Sequence, residues 1–330
     1  MTASRPPKSC AVIGASGFVG RAIVGRLEEA GWRVISVSAP RLTSWASDES
    51  GLISESLAHE DVLAALQGKV QGTDIVVLAA GLATPNSSDV PALIGANALL
   101  PVLVARAAAR AGCEGFVHIS SAAVQGRVRV LDESEVTTPF SPYSTSKALG
   151  ESALLVIADS LGLRACIFRA TSVHGNGRPT TAALRRVARS PLSSVAAPGS
   201  AATPIVSVSG LARAVAFLLP RLEDAPSIVL QPAEGATTRS VLTVAGSRAP
   251  LVVPALLARL AVVVGYGVFG RVLPATKGHV RRVELMWFGQ DQDEGWLTRA
   301  GFEPIDEVHA CLAPDGEVPA RQVWHKGSEA

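Results

Sequence analysis

The sequence predicts an α/β protein, a doubly wound parallel sheet with a smaller C-terminal lobe. Three observations carry this. Short β-rich runs alternate with longer helix-like patterns through the first half of the chain, which implies parallel pairing through crossovers. Those runs are nearly continuously apolar, as strands covered on both faces are. Of 330 residues, 48% are apolar, enough for a sizeable core in one large domain or two coupled ones.

The first strand is read at residues 9–14, "SCAVIG", and its helix at "VGRAIVGRLEEAG". Strands follow at 33–38, 74–81, 115–121 and 164–170. Helical patterns fill the gaps at 60–67, 90–111 and 143–161. Residues 175–207, rich in Pro, Gly, Ser and Ala, predict loops and a short helix. Residues 206–220 read as strand then helix, and 225–233 as a further strand. A sheet domain over 8–174 plus about 205–232, a lobe from 175–204 and 233–312, and a polar tail at 313–330 result. The run 251–273 is mostly apolar, but Pro254 and Arg259 break it below the ~20 residues that span a bilayer. It predicts a buried helix of the lobe; the other reading is a surface that docks on a membrane or a partner chain.

Thirty basic residues against 28 acidic ones, a net +2, give no footprint for nucleic acid. Four scattered cysteines, Cys10, Cys113, Cys166 and Cys311, have no metal-ligand spacing and predict a reducing, cytoplasmic setting. The polar N-terminus lacks the apolar core of a secretion signal.

Gly14, Gly17 and Gly20 follow the first strand as G-x-x-G-x-x-G. The first permits the turn, the second lets backbone approach a pyrophosphate, and the third lets the helix pack on the sheet. A helix N-terminus there offers N–H groups and positive potential to phosphate. The second strand ends in "SVSAPR", with Ser38 and Arg41 and no acid for a ribose hydroxyl, which leans toward NADP over NAD. Tyr143 and Lys147, at i and i+4, share one helix face. An ammonium beside a phenol lowers its pKa and fits it for proton transfer during hydride transfer. Ser120 and Ser121 end a strand, where parallel sheets bind ligands.

Glycine turn, strand-end serine and Tyr/Lys pair stand in this order, and here the chain resembles an extended short-chain dehydrogenase/reductase of the NAD-dependent epimerase/dehydratase family. The likeness covers about 8–235, through "GASGFVG", "DIVVLAAG", "IGANALLPVLVARAA", "ISSAAVQG", "PYSTSK" and "FRATSVHGNG". It implies a Rossmann-like NAD(P)-binding domain and a substrate lobe, with Ser121, Tyr143 and Lys147 as the catalytic set. It places the cofactor against Gly14, Ser16, Gly17, Phe18, Val19 and Gly20, the strand ends Ala79, Ala80 and Gly81, and Asn97. It adds Tyr143, Lys147, Arg169, Ala170 and Val173. Substrate would meet Leu82, Ser121, Ala122, Tyr143, His174 and Arg178. The sequence departs from the family pattern at Gln125 and His174, where a tyrosine is usual, and at Glu55–Ser56, where an aspartate often meets adenine.

Ala122 and Ala123 after Ser121 leave no acid for a dehydratase. The expected activity is C4 epimerisation or 4-keto reduction of a nucleotide sugar, with Arg178, Arg185 and Arg186 near a pyrophosphate. The alternatives are an NADPH-dependent ketoreductase of a more apolar, steroid- or flavonoid-like substrate, which the run 251–273 would suit, and a non-catalytic NADP sensor. The resemblance also implies a homodimer through helices 90–111 and 143–161.

Overall fold

The computed structural model describes residues 8–83, 89–269 and 277–314. The chain begins β1 (Ser9–Ile13), α1 (Phe18–Glu29), β2 (Arg33–Val37), α2 (Glu49–Ala58), α3 (Glu60–Val70) and β3 (Ile75–Leu78). It continues through α4 (Val90–Ile94), a π turn (Gly95–Leu99), α5 (Leu100–Arg110), β4 (Gly115–Ser121), β5 (Val130–Leu131), α6 (Pro142–Leu161) and β6 (Ala165–Ala170). Then come β7 (Ser172–His174), α7 (Pro179–Arg189), β8 (Ser194–Ala196), β9 (Ile205–Ser207), α8 (Val208–Leu218), β10 (Ile228–Leu230) and α9 (Thr238–Gly246). The last major elements are β11 (Leu251–Val253), α10 (Ala255–Val264) and α11 (Lys277–Phe288).

The main sheet runs β10-β6-β4-β3-β1-β2, every neighbouring pair parallel. Alternate side chains of these apolar strands enter two separate cores. Ala11, Phe116 and Ile167 join Leu99, Leu103 and Leu154 under α5 and α6. Val12, Val117 and Phe168 join Ile23, Leu27 and Leu211 under α1 and α8. A fully buried Leu or Ile contributes ~1.5–3 kcal/mol, so both faces must be covered. The chain leaves β1 toward β2 on one side and β3 on the other, and that switch opens a crevice at the strands' carboxyl ends. The long apolar helix 90–110 could cross a membrane by length alone, but it is a buried core helix here.

Local chemistry fixes the ends. Ser141 caps α6, accepting from Ser144 N–H, and Ser144 Oγ accepts from Ser141 N–H at 2.9 Å, a capping box with Pro142 at the first helical position. Gly162, at φ 61°, closes the helix in the left-handed region.

Four expectations are corrected. An extra helix, α2, precedes α3, and α3 runs three residues beyond its predicted end. Helix 90–110 is broken by the π turn, where bare Gly95 lets the 42–43 backbone close in; a Cβ there would stand 2.2 Å from Leu42 O. Region 175–207 holds α7 and two short strands, because β8 pairs with β11 and β9 with β7. The stretch 251–273 is not a buried helix. It divides into β11, α10 and a second π turn, Gly265–Phe269, and most of its large side chains face solvent; residues 270–273 lie outside the described ones, as does 315–330 of the tail. The cysteines are free, and burial pushes the Cys10 and Cys166 thiols up to about 12, which leaves them protonated and inert.

Candidate active site

The glycine turn sits at the switch point. Gly14 N–H donates to Val37 O and Ala79 N–H to Ile13 O, knitting the turn to both neighbouring strands. Gly14 adopts φ +88°, and a Cβ there would lie 2.7 Å from the Ala80 backbone. A Cβ on Gly20 would stand 2.0 Å from Gly14 O, so only glycine lets α1 settle on the turn. At Gly17 the one neighbour within reach is Gly14 O at 3.1 Å, and the outer side is open. Gly17 is the N-cap of α1, no side chain caps the helix, and its first turn holds no acid. These residues fit a dinucleotide pyrophosphate. Ser16 is exposed, and Phe18 and Val19 are half-buried beside it. The Phe18 ring carries the Arg178 guanidinium 4.9 Å above it. Ser38 and Arg41 lie exposed beyond β2.

Because the capping box fixes the start of α6, Tyr143 falls in its first turn and Lys147 one turn later on the same face. The Tyr143 phenol lies beside Ser121 at the carboxyl end of β4, close enough for the serine to favour the phenolate. Ala123 N–H donates to Ser121 Oγ at 3.2 Å, which orients the hydroxyl. Burial holds the Tyr143 phenol above its usual value, and Ser121 and the Arg178 charge oppose that shift only in part. Arg178 is thus a second cation that acts on the phenol, beside the Lys147 that the sequence assigned to that part. The Lys147 ammonium is turned to donate to Ile119 O at 3.1 Å, and burial brings its pKa down to about 8 against the opposing Glu151 carboxylate.

Lys147 faces a small cradle at the end of β3. A Cβ on Gly81 would stand 2.8 Å from Asn97 Oδ1 and 3.1 Å from Lys147 Nζ. Asn97, fully buried in the π turn, accepts from Leu82 N–H and donates to Leu82 O and Ser146 Oγ, each at 3.0 Å. It thereby fixes the chain leaving β3. π turns interrupt helices most often at functional sites. Ala79 and Ala80 border this cradle and Leu82 is partly exposed, whereas Ala122 is buried beneath Ser121's turn.

Several expected residues do not join the group. Arg169 is fully buried, with Nη2 donating to Glu151 Oε2 at 2.8 Å and Nη1 to Ser134 O at 2.6 Å; an arginine so engaged is out of a cofactor's reach. Ala170 and Val173 lie buried in the core under α1 and α8. His174 has both ring nitrogens occupied, by Ser172 Oγ at 3.0 Å and Thr181 Oγ1 at 3.2 Å, and burial lowers its pKa to about 4. It links β7 to α7 and offers no free nitrogen to a substrate. Gln125 donates to Asp132 Oδ1 at 2.5 Å and accepts from Asp132 N–H, holding the loop after β5. Glu55 accepts from Ser44 Oγ and Ser56 from Arg106. Arg185 donates to the carbonyls of Cys311, Leu312 and Ala313, while Arg186 lies exposed in an open cleft with Arg189.

The sequence reading missed the layer beneath. Glu151, one turn beyond Lys147, accepts from Ser120 Oγ at 2.5 Å as well as from Arg169. His118, fully buried, has no partner for either ring nitrogen, and burial with the Lys147 charge keeps it neutral. The available signals were Glu151 at i+4 from Lys147 and a lone polar residue within an apolar strand.

No curated protein sequence matches the chain. Its fold is similar to that of MoeE5 in complex with UDP-glucose and NAD, at TM-score 0.62 and 19% identity over 92% of this chain and 96% of that one. It is also similar to UDP-glucuronic acid 4-epimerase from Bacillus cereus with UDP-glucuronic acid and NAD, at 0.60 and 15% over 92% and 96%. UDP-glucose 4-epimerase of Thermus thermophilus with NAD gives 0.53 and 24% over 75% and 86%. The sequence profile of the NAD dependent epimerase/dehydratase family matches residues 10–229. With well over half its length so matched, on a parallel sheet whose glycine turn occupies the switch point, the chain belongs to the NAD dependent epimerase/dehydratase family, enzymes of the extended short-chain dehydrogenase/reductase type.

Proposed function

We propose that this enzyme interconverts an alcohol and a ketone on a nucleotide sugar, by C4 epimerisation or 4-keto reduction, with Tyr143, Ser121 and Lys147 as its working groups. The observation that carries the reading is the Tyr143 phenol beside Ser121, with Lys147 Nζ at the Gly81 cradle. A bound nicotinamide would supply or accept the hydride. In the oxidising direction the phenolate of Tyr143 takes the hydroxyl proton as the C–H hydride leaves, and in the reducing direction Tyr143 returns it. Ser121 donates to the same oxygen and Arg178 favours the phenolate. Lys147, with Asn97 fixing the backbone beside it, binds the cofactor's ribose.

The solved structures named above carry NAD, which lends no support to the lean toward NADP from Ser38 and Arg41. The cofactor is NAD or NADP. The case for a greasier substrate weakens, because the large side chains of 251–264 face outward. A pure sensor is disfavoured by the intact Ser121, Tyr143 and Lys147 set.

Mass spectrometry of co-purified dinucleotide, followed by assays with UDP-sugars and 4-keto nucleotide sugars, tests the reading. Retained NAD with sugar interconversion indicates an epimerase, and NAD(P)H consumption indicates a reductase. Tyr143→Phe should lower turnover by ~10²–10⁴-fold, the usual contribution of a general acid or base, while cofactor binding persists. Cofactor binding without turnover on every such sugar, or full activity in Tyr143→Phe, overturns it.

A further inference from the structure

Helix α10 is apolar on two opposite sides. Ala258 and Val262 are buried against the lobe. On the other side Leu256 is 79% exposed, Val263 67% and Leu260 59%, and Leu257 and Val264 also face solvent. At 100° per residue these five form a stripe roughly 120° wide, pointing away from the buried face. Arg259 flanks the stripe and is exposed, where its stem can lie on apolar surface and its charge can reach outward. A helix apolar all round belongs inside a protein or in contact with lipid, and this one is not inside. The lobe adds more. Leu251 and Val252 of β11 are exposed. Leu251 N–H donates to Ser193 O, which brings it beside Leu192, itself 80% exposed at the loop before β8.

The segments that build the stripe and its neighbours are basic, while the lobe's acids stand at Glu234 and between Glu284 and Glu307. Residues 175–222 hold six arginines and no acid, and 235–283 hold six arginines, one lysine and no acid, in a chain almost neutral as a whole. Arg186, Arg189, Arg248, Arg259 and Arg282 are exposed. Arg248 reaches the Ser190 carbonyl, which sets it close to Leu192. A protruding apolar stripe with a basic surround matches an anionic bilayer surface, where apolar side chains enter the acyl boundary and arginines meet lipid phosphates. We propose that the α10 face docks this enzyme peripherally on anionic membranes. The proposal does not depend on the reaction.

The test is flotation of the full chain with vesicles of phosphatidylcholine mixed with phosphatidylglycerol, and with vesicles of phosphatidylcholine alone. The chain should float with the anionic vesicles, and added salt should weaken that binding. Leu256→Asp/Leu260→Asp/Val263→Asp should abolish it with unchanged circular dichroism, since these side chains contact solvent. Arg189→Gln and Arg248→Gln keep the apolar stripe, and each should weaken anionic binding about fivefold, the contribution of one basic residue at such a surface. Equal flotation of the parent and triple variants overturns the proposal, as does failure to bind anionic vesicles. A dimer in light scattering that the triple variant dissociates, with no vesicle binding by the parent, assigns the face to a second copy of the chain and also overturns it.

Discussion

At the scale of single residues, the electrostatics of the phenol rests on Arg178. Its positive charge favours the Tyr143 phenolate against the desolvation that raises its pKa. Removing the charge must therefore raise the phenol pKa. In Arg178→Gln the alkaline rise of kcat/KM for alcohol oxidation should move up by about 1–3 pH units, the usual effect of one opposite charge. A lower rate at every pH with an unmoved limb would mean that Arg178 only holds structure. Lys147, at about 8, supplies a second profile. Its ammonium is lost as pH rises through that value, so the affinity for NADH, followed by fluorescence, should fall above pH 8 and become flat in Lys147→Met. Ser121, Tyr143 and Lys147 were legible because chain order and i, i+4 spacing are local properties. Arg169 and His174 were misassigned because their partners, Glu151 and Thr181, are set by packing across separate elements.

Among the elements, α6 is the one the site depends on, and two devices hold it. Its start was readable, since Ser, Pro and a serine three residues on write a capping box in sequence. Its register on the sheet was not, because that is set by the buried Glu151–Arg169 pair between α6 and β6, with Ser120 of β4 as third member. Leaving one buried charge unpaired costs ~3–5 kcal/mol, whereas replacing both partners by apolar groups can be near neutral. Arg169→Met should thus lower unfolding stability in urea by that amount, and Glu151→Leu/Arg169→Met should recover much of it. Equal losses in the single and double variants would show that the pair holds nothing together. Strands β7, β8 and β9 escaped sequence reading for a simpler reason, three residues being too short to show a period of two.

For the molecule as a whole, alternation of apolar runs and helical patterns was sufficient to read the parallel sheet, since burial on both faces leaves its mark on every strand of it but the edge strand β2. Hydropathy failed at α10, because a run of leucine and valine looks the same whether protein or something else covers it. The same burial that builds the core also couples folding to pH. His174 stays neutral in the folded chain down to about 4, and His118 is likewise held well below its ordinary value, while both take a proton near 6.5 when unfolded. Between these values the unfolded chain binds more protons, so stability falls as pH drops from about 6.5 toward about 4 and is fully present above that window. For His174 the loss is about 3 kcal/mol across that window. Urea midpoints between about pH 7 and about pH 5, above most carboxylate titration, should therefore decline with acid. His174→Gln, whatever its stability at neutral pH, should make the decline shallower by up to ~1.4 kcal/mol per pH unit, the limit for one proton. A slope identical to the parent's would mean that His174 is protonated in the folded protein and that burial does not keep it neutral.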